Sequence, residues 1–306
     1  MRTFARPLFA LGPLALLPAS ALAQAAGKHA PPAPPGGWSA DPLVLVPVAA
    51  AGLLYAAGHA ALRLRGRGGT LRYLEAAAFL GGLAAVLVAL VSPVDHVSER
   101  FFSVHAGQHE LLMLVAAPLL VLGRPLAPFL AALPPRWQAR ALAGVRRDGV
   151  LRVWAFLTAP LVAVVLHAAA RWAWHLPALF DAALASRPVH ALQHASFFLT
   201  AVFFWWSVVH GRYGRAGCGS AVTAVFATAA HTGLLGAIVA RSPLPFYRTY
   251  VALLGPPALH DQAVAGLVMA VPAGALFTLV GLALLAERTG EGARSLVHLK
   301  SSDRIP

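Results

Sequence analysis

Residues 101–120 read FFSVHAGQHELLMLVAAPLL, a run that is continuously apolar from Leu111 onward yet carries His105, His109 and Glu110 in its first half. Imidazoles and carboxyls inside hydrocarbon are costly, so groups placed there are either packed against partners or kept for a function. The run is too long and too apolar for a surface helix. It reads as a transmembrane segment whose polar end has work to do.

The rest of the chain has the same character. Hydrophobic residues make up 58% of the 306 and charged residues only 11%, with a mean hydropathy of +0.69; a soluble domain carries about 25% charged residues. A helix needs about 20 residues to cross about 30 Å of hydrocarbon. Runs of that size fall near 42–62, 71–91, 106–122, 151–169, 190–209, 219–240 and 263–286. Only helices and closed barrels satisfy their backbone in lipid. The pattern therefore predicts an all-α, polytopic membrane bundle of seven transmembrane helices.

The formal charge of +13 would suggest nucleic acid in a soluble chain, but here the cations sit in short blocks between the apolar runs. Alternate connections (63–72, 124–152, 212–215 and the end past 288) hold sixteen Lys and Arg, whereas the opposite connections hold six: Lys28, Arg100, Arg171, Arg187, Arg241 and Arg248. By the positive-inside rule the mature amino terminus lies outside and the carboxyl terminus in the cytoplasm of a bacterial inner membrane. Basicity here encodes topology, and no nucleic acid partner is expected.

At the amino terminus, Arg2 and Arg6 precede an apolar stretch and the small-residue pattern Ala21-Leu22-Ala23, the form of a secretory leader cleaved after Ala23. The expected organisation is a signal peptide at 1–23, a Pro/Gly-rich periplasmic tether at 24–41, the membrane domain at 42–286 and a cytoplasmic tail at 287–306. A single cysteine, Cys218, excludes an intramolecular disulfide and any Cys-rich zinc or iron-sulfur site. No Gly-rich phosphate loop and no internal repeat is present, so nucleotide-driven work and inverted-repeat transport have no support.

With the orientation set, histidines collect on the outer side. His105 and His109 are four residues apart at the outer end of span three, as are His190 and His194 at the outer end of span five. Residues at i and i+4 share a helix face, so two pairs at equal depth can aim four imidazoles at one centre. His105 and His190 are expected nearer water as first-contact ligands, with His109 and His194 as the inner pair. Met113 lies eight residues beyond His105, about 12 Å deeper, and Met269 and His231 are expected in the same layer. Imidazole with thioether suits copper, the thioether favouring the reduced ion. Taken singly, His59, His167 and His210 read as hydrogen-bonded helix contacts. Glu110 reads either as the partner of an imidazole or as a solvated helix end. Asp181 and Asp261 sit in outer loops, able to cap helices or hold a cation. Trp172 and Trp174, and the run Phe204, Trp205 and Trp206, read as interfacial anchors.

Three stretches, SPVDHVSERFFSVHAGQHELLMLVAAPLLVLGRPL, WHLPALFDAALASRPVHALQHASFFLTAVFFWWSVV and DQAVAGLVMAVPAGALF, resemble the CtaG family of cytochrome c oxidase assembly factors, seven-span proteins of bacterial membranes. The resemblance covers roughly 42–286. It implies a non-enzymatic assembly factor or metallochaperone that delivers or retains copper for a haem-copper oxidase, whose subunits are the implied partners together with a periplasmic copper chaperone and the lipid bilayer. His105, Gln108 and His109 match the family's H-x-x-Q-H element, His190 and His194 its H-x-x-x-H element, and Asp261, Gln262, Gly266 and Met269 its D-Q-x-x-x-G-x-x-M element. Spacing and resemblance together give as candidate metal ligands His105, His109, His190, His194, Met113, Met269 and His231, with Gln108, Glu110, Asp261 and Gln262 around them. Two positions depart from the family: Glu110 stands where an apolar residue is expected and Ala270 where tryptophan is.

Two other classes fit the same residues less well. A b-type haem electron-transfer protein would use His109 and His194 as axial ligands between two helices. A membrane metallohydrolase would use the histidines with Glu110 to activate water, but the sequence has no H-E-x-x-H element.

Overall fold

The computed structural model describes residues 37–66, 69–211 and 214–302, with side chains at 214–218 and 288–302 left aside. The leader at 1–23 and most of the tether lie outside the described residues. Every regular element among the described residues is helical. In chain order these are α1 (Pro42–Leu64), α2 (Thr70–Leu90), α3 (Pro93–Ser98), α4 (Phe102–Leu122), α5 (Leu126–Ala132), α6 (Pro135–Val145), α7 (Asp148–Leu157), α8 (Pro160–Trp174), α9 (Pro177–Ala185), α10 (Arg187–His210), α11 (Gly214–Arg241), α12 (Arg248–Leu254) and α13 (Ala258–Ser302). Six helices are long and apolar enough to cross a membrane: α1, α2, α4, α10, α11 and α13. A bent pair makes a seventh candidate span.

That pair corrects the expected continuous span at 151–169. Residues 148–157 and 160–174 are two helices meeting at 64°. Pro160 has no N–H to continue the ladder and disfavours helical geometry at the residue before it. Ala159 accordingly sits at φ −63°, ψ 133°, and the Thr158 hydroxyl donates to the Trp154 carbonyl at the end of α7.

α4 is the axis of the bundle, with 61% of its span buried against 11% for α1. Its middle widens into a π-helical segment, Leu111–Ala116, where the Trp205 indole N–H donates to the Met113 carbonyl at 2.8 Å. Such segments recur where a helix adapts to a functional site. The start of α4 is capped from another helix: Asp261 of α13 accepts from the backbone N–H of Phe102 at 2.6 Å and from both the backbone and the hydroxyl of Ser103. The same service is given to α12 by Asp181, which accepts from Arg248, Thr249 and the Thr249 hydroxyl. Both outer-loop aspartates are thus caps.

Inside hydrocarbon, helices gain little from leaving lipid, so association rests on close packing and polar contacts. α11 and α13 meet where Gly236 faces Gly266; a Cβ on Gly266 would lie 2.4 Å from the Gly236 carbonyl oxygen. Around α4 two buried clusters form. One gathers Met113, Phe197, Phe204, Trp205 and Phe277; the other gathers Phe102, Phe180, Tyr247, Tyr250 and Met269.

Three further expectations are corrected. Phe204 and Trp205 are buried in the first cluster rather than anchored at an interface, because the adjacent π segment offers the indole a carbonyl to satisfy. The helix expected to end near 286 continues to Ser302. The last tether residues are held in place: the Ser39 N–H donates to the Val91 carbonyl at 2.7 Å, and Asp41 caps α1 by accepting from Leu43.

Candidate metal centre

α4 and α10 each project two histidines from one face, and the helices pack so that the pairs meet. Ring centroids stand 4.4 Å apart for His105 and His109 and 4.2 Å for His190 and His194. Across the helices they are 5.2 Å apart for His105 and His190 and 5.0 Å for His109 and His194. One ring nitrogen from each of the four falls within 4.8 Å of all the others. A tetrahedral ion bound at about 2.0–2.1 Å needs nitrogens roughly 3.3 Å apart, within the span these atoms define. The Nε2 atoms of His190 and His194 are buried with no protein partner, and His105 Nε2 has only His109 Nε2, at 2.9 Å. Buried polar atoms are normally bonded; four converging ring nitrogens, two of them without any partner, fit a metal ion.

The cluster sits where the two apolar clusters touch, His105 against Phe180 and His109 against Phe197. His105 is fully buried and His109 nearly so, while His190 is partly exposed and His194 lies 8% exposed. The expectation that His105 stands near water is therefore corrected: Phe180 and Tyr250 lie against it, Phe102 backs Tyr250, and the accessible edge belongs to α10.

Below the cluster lies a second polar layer that sequence reasoning missed. Arg171, counted above as an outer-loop cation, is 1% exposed on α8, where its Nη2 donates to Glu110 Oε1 at 2.6 Å and its Nη1 to the Met113 sulfur at 3.4 Å. Glu110 is thus neither an imidazole's partner nor a solvated end, but the counter-charge of a buried arginine. That pairing explains how a carboxyl is accommodated where the family pattern has an apolar residue. The signal was present in the sequence as His167, Arg171 and His175, a stripe at four-residue spacing. Removing Arg171 from the outer connections widens the cation bias further.

The other predicted residues have their own surroundings. The Met113 sulfur is held by Arg171, and Met269 packs in the aromatic cluster. His231 stands outside the four-histidine group with its ring 6.2 Å from that of His167, whose Nδ1 shares a hydrogen bond with the Thr200 hydroxyl at 3.2 Å. Gln108 donates to the Ala89 carbonyl and to Asp95, tying α4 to α2 and α3, while Gln262 holds the 242–247 loop through Phe246 and Leu244 and α11 through the Val239 carbonyl. Gln108, Glu110, Asp261 and Gln262 are therefore bonded to groups other than imidazoles. The loop histidine, His175, donates from Nδ1 to the Arg171 carbonyl at 2.6 Å; burial, with Arg171 nearby, pushes its pKa down to about 4.

A profile of cytochrome c oxidase caa3 assembly factors matches residues 53–289, from the middle of α1 to just beyond the membrane part of α13. The chain belongs to this assembly-factor family. Uncharacterized proteins of Mycobacterium bovis and Mycobacterium tuberculosis are each 32% identical over 176 residues, and one of Mycobacterium leprae is 27% identical over 182. Each alignment takes in 56% of this chain, which spans about a quarter (26%) of the relatives' length. No solved structure matches.

Proposed function

We propose that this family member is a copper-handling factor that takes copper on the outer face of the bacterial inner membrane and holds it for insertion into a haem-copper oxidase. The observation that carries this reading is the convergence of four buried imidazole nitrogens from α4 and α10 with no protein partners beyond one another. An all-imidazole set without thiolate or carboxylate suits several late first-row ions, copper among them; membership in an oxidase assembly family favours copper within that set. The cation distribution supports an outward-facing position for this end of the bundle.

Copper is the cargo. His190, partly exposed on α10, meets the incoming ion first, and His194, His109 and His105 accept it by successive ligand exchange as the four rings close around it. The apolar walls of Phe180 and Phe197 keep water from competing. Release follows the same edge, toward a docked oxidase subunit. No bond is made or broken in the cargo, so no catalytic residue is assigned.

The geometry runs against a haem between His109 and His194. Axial imidazoles stand on opposite faces of a macrocycle, whereas these two rings are in edge contact at 5.0 Å and His105 packs against both.

Deleting the gene is expected to leave oxidase polypeptides in the membrane while lowering oxidase activity and oxidase copper content. The purified protein is expected to retain copper and to show no Soret band. Fully metallated, active oxidases in the deletion strain would overturn the reading.

A further inference from the structure

The neutral imidazole of His105 carries one ring proton, and it serves a metal at Nε2 only if that proton sits on Nδ1. The structure fixes where the proton goes. The Tyr250 hydroxyl lies 2.9 Å from the Ser98 carbonyl oxygen and 3.0 Å from His105 Nδ1. A phenol has one proton, and the carbonyl can only accept, so Tyr250 donates to Ser98 and its oxygen accepts from His105 Nδ1–H. His105 Nε2 is thereby left with its lone pair facing the other three imidazoles.

We infer that Tyr250, on α12, is the positioning residue of the metal centre: it sets the His105 tautomer and ring orientation and ties the covering segment to the ligand helix. The inference rests on the four histidines being the copper site. Nothing in the sequence motifs points to this residue, since it lies 145 positions from His105 and outside every span.

The hydroxyl can be removed without removing the ring's support. Tyr250 is 2% exposed, stacked on Phe102 at 5.7 Å and flanked by Phe180 and Tyr247. Tyr250→Phe therefore keeps the packing and deletes the hydroxyl that accepts from His105 and donates to the Ser98 carbonyl. Tyr247→Phe is the matched control: it deletes an equally buried hydroxyl of the same aromatic cluster, whose partner is the His175 carbonyl and not a cluster imidazole.

The test uses the full chain purified in detergent, with Cu(I) as the probe, a competing chelator to report affinity, and nitrogen-15 resonances of the metal-free protein to report the His105 tautomer. Groups that orient metal-bound histidines are worth about 10–100-fold in affinity. Tyr250→Phe is expected to weaken Cu(I) binding within that range and to convert His105 from a single Nδ1–H tautomer to a mixture, while Tyr247→Phe changes neither. Equal affinity and an unchanged tautomer in Tyr250→Phe would overturn the inference while leaving the copper reading intact. Absence of Cu(I) binding by the unmodified protein would instead overturn the copper reading. A loss of affinity shared equally by both variants would assign Tyr250 to packing alone.

Discussion

The four-histidine cluster and the Glu110, Arg171 and Met113 layer beneath it both draw on α4, the first completed by α10 and the second by α8, yet they differ in how their valences are used. In the lower layer, Arg171 spends one nitrogen on a carboxylate at 2.6 Å and another on a thioether. In the upper cluster the ring nitrogens face one another, with no opposite charge among them. Polar groups in an apolar bundle thus divide into those that satisfy one another and hold helices together, and those that leave lone pairs for a guest. The first kind answers to stability measurements, the second to metal binding.

The sharpest way to break this comparison is to remove one member of each. His109→Ala or His194→Ala is expected to abolish copper retention and oxidase maturation while leaving the folded protein at normal membrane levels, whereas Phe197→Ala, which opens one wall of the site, costs packing and weakens retention without abolishing it, and His59→Ala is tolerated. Copper content of the purified variants, set against their abundance, decides this. A His109→Ala variant that still retains copper and supports full oxidase activity would erase the distinction.

The lower layer is expected to respond in the opposite sense. Arg171→Ala leaves Glu110 buried without its counter-charge, and breaking a buried pair costs about 3–5 kcal/mol. Replacing both partners by apolar residues, Glu110→Leu with Arg171→Met, is expected to restore most of that loss, because the desolvation penalty disappears with the charges. A double-mutant cycle on unfolding in detergent measures the coupling; additive effects would show that the pair is not a unit.

How far the sequence carries differs between the two regions for the same physical reason. The seven apolar runs and the i, i+4 spacing of His105/His109 and His190/His194 are local properties, so the helices and the convergence of their imidazoles were legible. The Glu110 to Arg171 pair spans 61 positions and the Tyr250 to His105 contact 145; neither has a local period to reveal it. Arg171 was misread because a cation near a span end ordinarily reports topology. The bend at Pro160 was legible in retrospect, because proline excludes its predecessor from the helix. The π-helical widening of α4 had no such marker.

Asp261 gives a smaller test, since it belongs to neither class. It matched a family motif that suggested a role at the metal, yet its carboxylate caps α4 through Phe102 and Ser103. Asp261→Ala is expected to lower stability by about 1–2 kcal/mol, the usual cost of a lost cap. Its copper affinity should fall only as far as the start of α4 frays. A loss of copper binding as complete as that of His109→Ala would move Asp261 into the upper cluster's class.

The smallest expected effect concerns pH and a group lying between the two regions. His175 follows the end of α8, donates to the Arg171 carbonyl and is held neutral, its pKa pushed down to about 4 by burial and secondarily by Arg171. An unfolded histidine titrates near 6.5. Between those values the unfolded chain binds a proton that the folded chain refuses, so stability rises with pH across the window. The contribution is fully present above about pH 6.5 and is lost progressively as the pH falls toward 4. Lowering the pH from 7.5 to 5.5 is expected to cost about 1 kcal/mol through this group. His175→Gln keeps a side chain able to donate to the Arg171 carbonyl but cannot titrate, so it should flatten that part of the profile without altering stability at pH 7.5. A variant whose acid sensitivity equals that of the unmodified protein would assign the pH dependence to other groups and leave His175 with a purely packing role.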